Sequence, residues 1–172
     1  MKHIRSHEEL TRKIKESIDI PLDINWIKTS DNWVGVFKTD KNEYRIVISK
    51  VKYDIWKYKY YIKTGNTMSV KMTNLSYDVF KVLSTVKKGA FDFLTEINPN
   101  GLIFGANNDS GNRVKFYSIF SMECKKEFKY KNIYDLPFGD DEIKPTLYVV
   151  YNDLTNEQLE EIITMVIGDE VN

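Results

Sequence analysis

The residues best suited to chemistry lie in the segment Phe104-Gly-Ala-Asn-Asn-Asp-Ser-Gly-Asn-Arg113, between a short apolar run and an expected helix start. Turns from strand to helix collect phosphates and other anions, because unpaired N–H groups and the helix dipole point there. The lysine-serine ending of a phosphate-binding loop is absent, and the glycines lack the spacing of a dinucleotide fingerprint. Two readings follow. Asn107, Asn108, Asp109, Ser110 and Arg113, with Tyr117 a turn further on, form a ligand or partner contact; alternatively, the turn is simply capped and Arg113 pairs with a carboxylate.

A second grouping is Lys57, Lys59, Tyr61 and Lys63, every other residue of one segment. Lysines interleaved with an aromatic on a sheet face can hold single-stranded nucleic acid. Lysine also guards edge strands against aggregation, which is the plainer reading.

Other chemistry has less to work with. His3 and His7 are the only histidines; they sit near the start with no cysteine or carboxylate cluster beside them, so no metal site is expected. Cys124 falls on the inward stripe of an expected helix, where a free thiol acts as a small hydrophobe. No serine triad can be assembled without an available histidine. Asp140, Asp141 and Glu142 could hold a magnesium ion, but a solvated loop is the simpler reading. No catalytic residue and no cofactor is expected.

Composition narrows the field further. The 172 residues carry 25 basic and 25 acidic side chains, so no global attraction to nucleic acid or anionic membrane follows. Only Arg5, Arg12, Arg45 and Arg113 are arginines, although arginine dominates bidentate contacts to phosphates and bases. No apolar run approaches the ~20 residues of a membrane span. The opening residues lack an apolar signal core, and a single cysteine fits a reducing compartment, so a cytoplasmic protein is expected.

Periodicity supplies the elements that must position these residues. Ser6 and Glu9 have capping-box spacing before Leu10, Ile14 and Ile18, which predicts a first helix ending before Pro21. From Asp23 to Thr64 the period is two, with turns at Ser30–Asn32 and Asp40–Asn42. This predicts a four-strand antiparallel meander with one buried face, on which Trp56, Tyr58, Tyr60 and Ile62 point inward. A long helix from Tyr77 to Ile97 presents Val79, Leu83, Val86, Ala90, Phe93 and Ile97, widened by Phe80 and Leu94. Leu102-Ile103-Phe104 reads as a buried strand, and a helix to about Lys126 turns Val114, Tyr117, Phe120 or Ser121, and Cys124 inward. The stretch Phe128–Pro145 is left without an element, with Phe138–Glu142 an exposed loop. Thr146–Tyr151 is a strand. Thr155 and Gln158 cap a last helix whose face is Leu159, Ile162, Ile163, Val166 and Ile167, with Leu154 as the staple. The expected fold is a single α+β domain spanning 1–172, an antiparallel sheet packed against helices.

Part of the chain resembles a known family. Val79-Phe-Lys-Val-Leu-Ser-Thr-Val86, then Gly101-Leu-Ile-Phe-Gly-Ala106, then Ser110-Gly-Asn-Arg-Val-Lys-Phe-Tyr117 is similar to small accessory proteins of tailed bacteriophages. Their core reads as a Val-Phe-Ser-Thr-Val helix, a Phe-Ser-Ala-like strand and a Ser-Arg-x-x-Leu-Tyr helix. Here Gly105-Ala106 replaces the serine, and Asn107-Asn108 lengthens the turn. The family carries no activity to transfer. The resemblance implies a virus-encoded factor that binds and disables a host or defence protein.

A non-enzymatic binding protein with a protein partner is therefore the leading expectation. It draws on aromatics: Trp33, Tyr53, Trp56, Tyr58, Tyr60 and Tyr61 exceed what one sheet face can bury, and exposed aromatics anchor interfaces. A nucleic-acid binder using Lys57, Lys59, Tyr61 and Lys63 comes second, and a small-ligand or nucleotide binder using the 107–113 turn comes third.

Overall fold

The computed structural model describes residues 20–69, 78–106, 111–137 and 146–171. The expected first helix, the Asn107–Ser110 turn and the Phe138–Glu142 loop lie outside them.

The meander forms as the period-two pattern predicts. β1 (Asn25–Lys28), β2 (Asn32–Lys38), β3 (Glu43–Lys50) and β4 (Ile55–Thr64) pair antiparallel in chain order, and β5 (Thr67–Ser69) folds back on the end of β4. Helix α1 (Asp78–Ile97) then returns the chain to β6 (Gly101–Ala106), which lies parallel to β4. A parallel neighbour needs such a crossover, since a tight hairpin cannot reverse the chain twice. Helix α2 (Gly111–Phe128), β7 (Asn132–Pro137), β8 (Thr146–Tyr151) and α3 (Asn156–Val171) complete the fold. The sheet order is β1-β2-β3-β4-β6-β8-β7, with β5 beside β4. The protein is an α+β fold built on one mostly antiparallel sheet.

The main core fills the side of the sheet under α1 and α2. Trp33, Phe37, Tyr44, Ile46, Ile48, Trp56, Tyr58, Tyr60 and Ile62 point into it from β2–β4, and Leu102, Phe104, Tyr148 and Val150 join from β6 and β8. Phe93 of α1 takes the edge of Trp33 at 5.1 Å and of Trp56 at 5.0 Å, the offset geometry that aromatic quadrupoles favour. Tyr58 is fully enclosed, and its hydroxyl donates to the Val86 carbonyl of α1 at 2.6 Å.

The opposite side is also partly covered, and here the expectation of one buried face needs correction. Ile55, Ile103, Leu147 and Val149 form a second core with Leu159, Ile162, Ile163 and Val166 of α3. Strands β6 and β8 are buried on both sides, which is why Leu102-Ile103-Phe104 and Thr146–Val150 read as continuous runs rather than alternating ones.

Further expectations change with the structure. Phe80 is 60% exposed and Ile97 lies at the surface, because the buried stripe of α1 is Val82, Thr85, Val86, Ala90, Phe93 and Leu94. The spacing was right and its phase slightly rotated. β7 lies within the stretch left without an element; as a sheet edge it buries little and carries no clean alternation. β4 is central rather than an edge, so its lysines are not edge guards. Most of the expected aromatic surplus is absorbed: Trp33, Trp56, Tyr58 and Tyr60 are all buried on one face, packed by α1 and α2, while Tyr53 and Tyr61 are half-buried outside that core. No helix among the described residues is long and apolar enough to cross a membrane.

Candidate functional site

Helix α3 covers the second sheet face over β6, β8 and the start of β4. Past the start of β4, the outward residues of β1–β4 are half-buried or exposed, and among the described elements no helix packs across them. Strand register places its residues in rows. Ile27, Val34, Val47 and Lys59 stand side by side, and Asn25, Val36, Arg45 and Tyr61 form the next row. Lys38, Glu43 and Lys63 form a third, and Asn32, Ser49 and Lys57 a fourth. The face is graded: apolar on β1, β2 and Val47 of β3, cationic along β4. Ile27 is 70% exposed.

Its electrostatics follow from the rows. Lys38, Arg45, Lys57, Lys59 and Lys63 face one acidic residue of the same strands, Glu43. Glu43 receives Lys38 at 3.4 Å, Arg45 at 3.6 Å and Lys63 at 3.7 Å. Partial desolvation raises its carboxyl pKa, but the Lys38 hydrogen bond and the charges of Lys63, Lys38 and Arg45 outweigh it, so the net position is below the usual range. Arg45 Nε is enclosed with no hydrogen-bond partner among the described residues. Lys57 reaches Asp169, in the last turn of α3, at 3.6 Å. Between Val47, Ser49, Lys57, Lys59 and Tyr61 lies a shallow hollow of about 90 Å³.

The expected lysine row is therefore brought together on one face, as period two requires. Lys57 lies against the end of α3, while Lys59, Tyr61 and Lys63 continue onto the half of the sheet that α3 does not reach. Ile27, Val34, Val36, Arg45 and Val47 were not singled out from the sequence. A signal was present: Trp33-Val-Gly-Val-Phe37 is apolar at every position, as a strand with both sides in use would be.

The other expected site is not brought into view. Asn107, Asn108, Asp109 and Ser110 lie outside the described residues, and Arg113 is placed in α2 without a described side chain. Tyr117 is buried, its ring 5.3 Å from that of Phe104. Cys124 is enclosed in the main core; burial, reinforced by the Glu123 charge, pushes its thiol pKa well above the ordinary range. Among the described residues, no group of three His, Cys, Asp or Glu side chains is placed to hold a metal ion.

A broader depression of about 400 Å³ lies at Asn152, Asp153, Leu154, Thr155 and Gln158. It borders the start of α3, where the helix meets its own polar needs. Gln158 N donates to Thr155 Oγ1 at 3.2 Å, and Thr155 N donates to Gln158 Oε1 at 3.0 Å, the reciprocal capping box.

Compared with protein-family models and with curated proteins, the chain matches none.

Proposed function

We propose that this chain is a non-catalytic binding protein that grips a partner protein through the outward side of β1–β4. The observation that carries this reading is the half-covered sheet: valines and cations stand together where α3 stops. Interfaces combine an apolar centre with a polar, solvated rim, and this surface has both. The buried, protonated Cys124 thiol favours a packing role over a nucleophilic one.

A protein is favoured over nucleic acid by the side to which the aromatics point. Modules that hold single strands stack bases on several aromatic rings. Here Tyr61 is the aromatic on the outward side of β2–β4, and its neighbours Val34, Val36 and Val47 offer no stacking platform. In line with the resemblance to phage accessory proteins, the partner is a host or defence protein that this chain disables in the host cytoplasm.

Site-specific photocrosslinking in cells tests the reading. A crosslinking residue at position 36 or 59 should yield a discrete protein adduct, and one at the exposed Met165 of α3 should not. A nuclease-sensitive adduct at 36 and 59 would replace the protein with nucleic acid. No adduct at either position would remove the reading.

A further inference from the structure

We infer that α2 carries a docking surface of its own, a narrow stripe of Ile119, Met122 and Lys126. It accepts a helix of a partner protein that is apolar along its seam and acidic in its first turn. The stripe belongs to the side of the sheet that α1 and α2 cover, away from the outward face of β1–β4, and it stands whether or not that face binds.

Spacing and exposure come first. Tyr117, Phe120 and Cys124 turn α2 toward the main core, and Glu123 joins it to Lys87 of α1 at 2.8 Å. At about 100° per residue, Ile119, Met122 and Lys126 fall on the side of the helix opposite those core residues. Ile119 is 47% exposed and Met122 55%. Half-buried Phe116 continues the apolar strip toward the helix start, its ring stacked on Phe120 at 6.0 Å. Two large apolar side chains one turn apart on the far side of a helix add nothing to this chain's own core.

Charge comes second. Lys125 and Lys126 occupy the last turn of α2 and Lys129 follows its end, all three exposed. Lys87 and Lys131 pair with Glu123 and Asp153, whereas no ion pair among the described residues involves Lys125, Lys126 or Lys129. Glu127, four residues beyond Glu123, falls on the flank toward α1. Lysines at a helix end also answer the helix dipole, but the dipole gives Ile119 and Met122 no reason to face solvent. Apolar side chains bordered by unpaired cations complement a surface that is apolar and acidic. Carboxylates are best placed in the first turn of a helix, so the occupant sets that turn beside Lys125 and Lys126 and runs antiparallel to α2.

Width chooses the class of occupant. A helix lying on a membrane presents a broad apolar face, and α2 uses its broad apolar side in the core. A narrow stripe is instead the seam along which two helices pack, about 8–10 Å apart. A second copy of this chain is disfavoured by its own lysines. Two α2 helices side by side would set Lys126 against Lys126 if parallel, or against Lys115 if antiparallel with Ile119 on Met122.

The test titrates the full chain with a designed peptide of about 20 residues, long enough to be helical once docked. Its leucines and isoleucines recur at alternating steps of three and four, with glutamates in the first turn. The comparison probes are the same peptide with lysine in place of glutamate, phosphatidylserine vesicles, and single-stranded oligo-dT. The glutamate peptide should bind, shift the amide signals of Ile119, Met122 and Lys126, and lose affinity as salt rises. The paired substitution Lys125→Glu and Lys126→Glu should weaken it by about tenfold or more and turn the preference toward the lysine peptide. Met122→Lys, at an exposed position, should also weaken binding. Unmoved amide signals of β2 and β3 show that both variants are folded.

Equal binding of both peptides, no peptide binding, or binding of vesicles or oligo-dT in their place would overturn the inference. It would also be overturned if the peptide bound only after deletion of residues 1–19, or if the chain dimerised and Met122→Lys abolished the dimer. Peptide shifts at Val34 and Val47 with none at Met122 would overturn it and leave β1–β4 as the binding face.

Discussion

A methyl group added at Gly101 would run into the Val150 carbonyl oxygen, with Ile55 Cδ1 at 2.7 Å. The obstruction is backbone of a neighbouring central strand, which cannot give way as a side-chain tip can. Gly101→Ala should therefore cost about 1–3 kcal/mol in urea unfolding, the usual penalty of overpacking. Gly105, four residues on, meets Leu147 Cδ1 at 3.4 Å; Gly105→Ala should be neutral or stabilise by up to ~0.5 kcal/mol, because alanine loses less backbone entropy on folding. Buried protons act at the same scale. Burial raises the phenol pKa of Tyr58 and Tyr130 and the thiol pKa of Cys124. Each group keeps its proton in the fold at a pH where the unfolded chain has released it. Their contribution is whole below the ordinary values, 9.0 for the thiol and 10.0 for the phenols, and is lost as pH rises from there toward the higher folded values. Each group removes about 1.4 kcal/mol per pH unit in that window. The urea midpoint should stay level from pH 7 to near pH 8.5 as far as these groups are concerned, then fall. Tyr130→Phe, which also gives up the hydroxyl donation to Pro99 O, should make the fall shallower.

Several of the described elements are joined by short polar loops. Asn100 is the busiest link: its Nδ2 donates to Tyr53 O and Asp153 O, and its Oδ1 accepts from Asp153 N at 3.0 Å. One side chain thus ties the β3–β4 turn and the β8–α3 loop to the start of β6. Tyr53 and Asp54 of that turn hold left-handed backbone, φ 55° and 57°, which non-glycine residues adopt only when their surroundings hold them there. Asn100→Ala should cost about 1–3 kcal/mol through unmet carbonyl and amide groups, read as a lower unfolding midpoint. Thr155→Ala, which removes one capping bond at a single helix end, should cost about 1 kcal/mol. The sequence made the capping box plain because it is local, four residues deep. The phase of α1 was less legible: its inward stripe depends on which residues Phe93 and Val86 meet across the sheet, and Phe80 could not reveal that it would face solvent.

At the scale of the whole molecule, α3 is what makes the sheet two-sided. Ile162 is fully buried against the second core, and Ile162→Ala should cost about 2–5 kcal/mol, a core truncation with a cavity left behind. The same change should leave the outward rows of β2 and β3 in register, since that half of the sheet is held from the other side by the main core. Amide exchange should therefore quicken in β6, β8 and α3 before β2 and β3. Uniform quickening would show that the two cores unfold as one.

The sequence by itself determined the meander, the long helix, the capped last helix and the lysine row, because periods of two and 3.6 and capping contacts depend on neighbours a few residues apart. It also determined that the lysines share one side of β4. Only the tertiary structure decided what that side is. The parallel placement of β6 beside β4 made β4 central, and α3 reaches no further than the start of β4. The packing of α1 and α2 withdrew from solvent four of the six aromatics suggested for an interface, Trp33, Trp56, Tyr58 and Tyr60. Each of these rests on contacts between residues far apart in the chain. Such contacts are selected by the free energy of burying whole surfaces together, which no local pattern encodes.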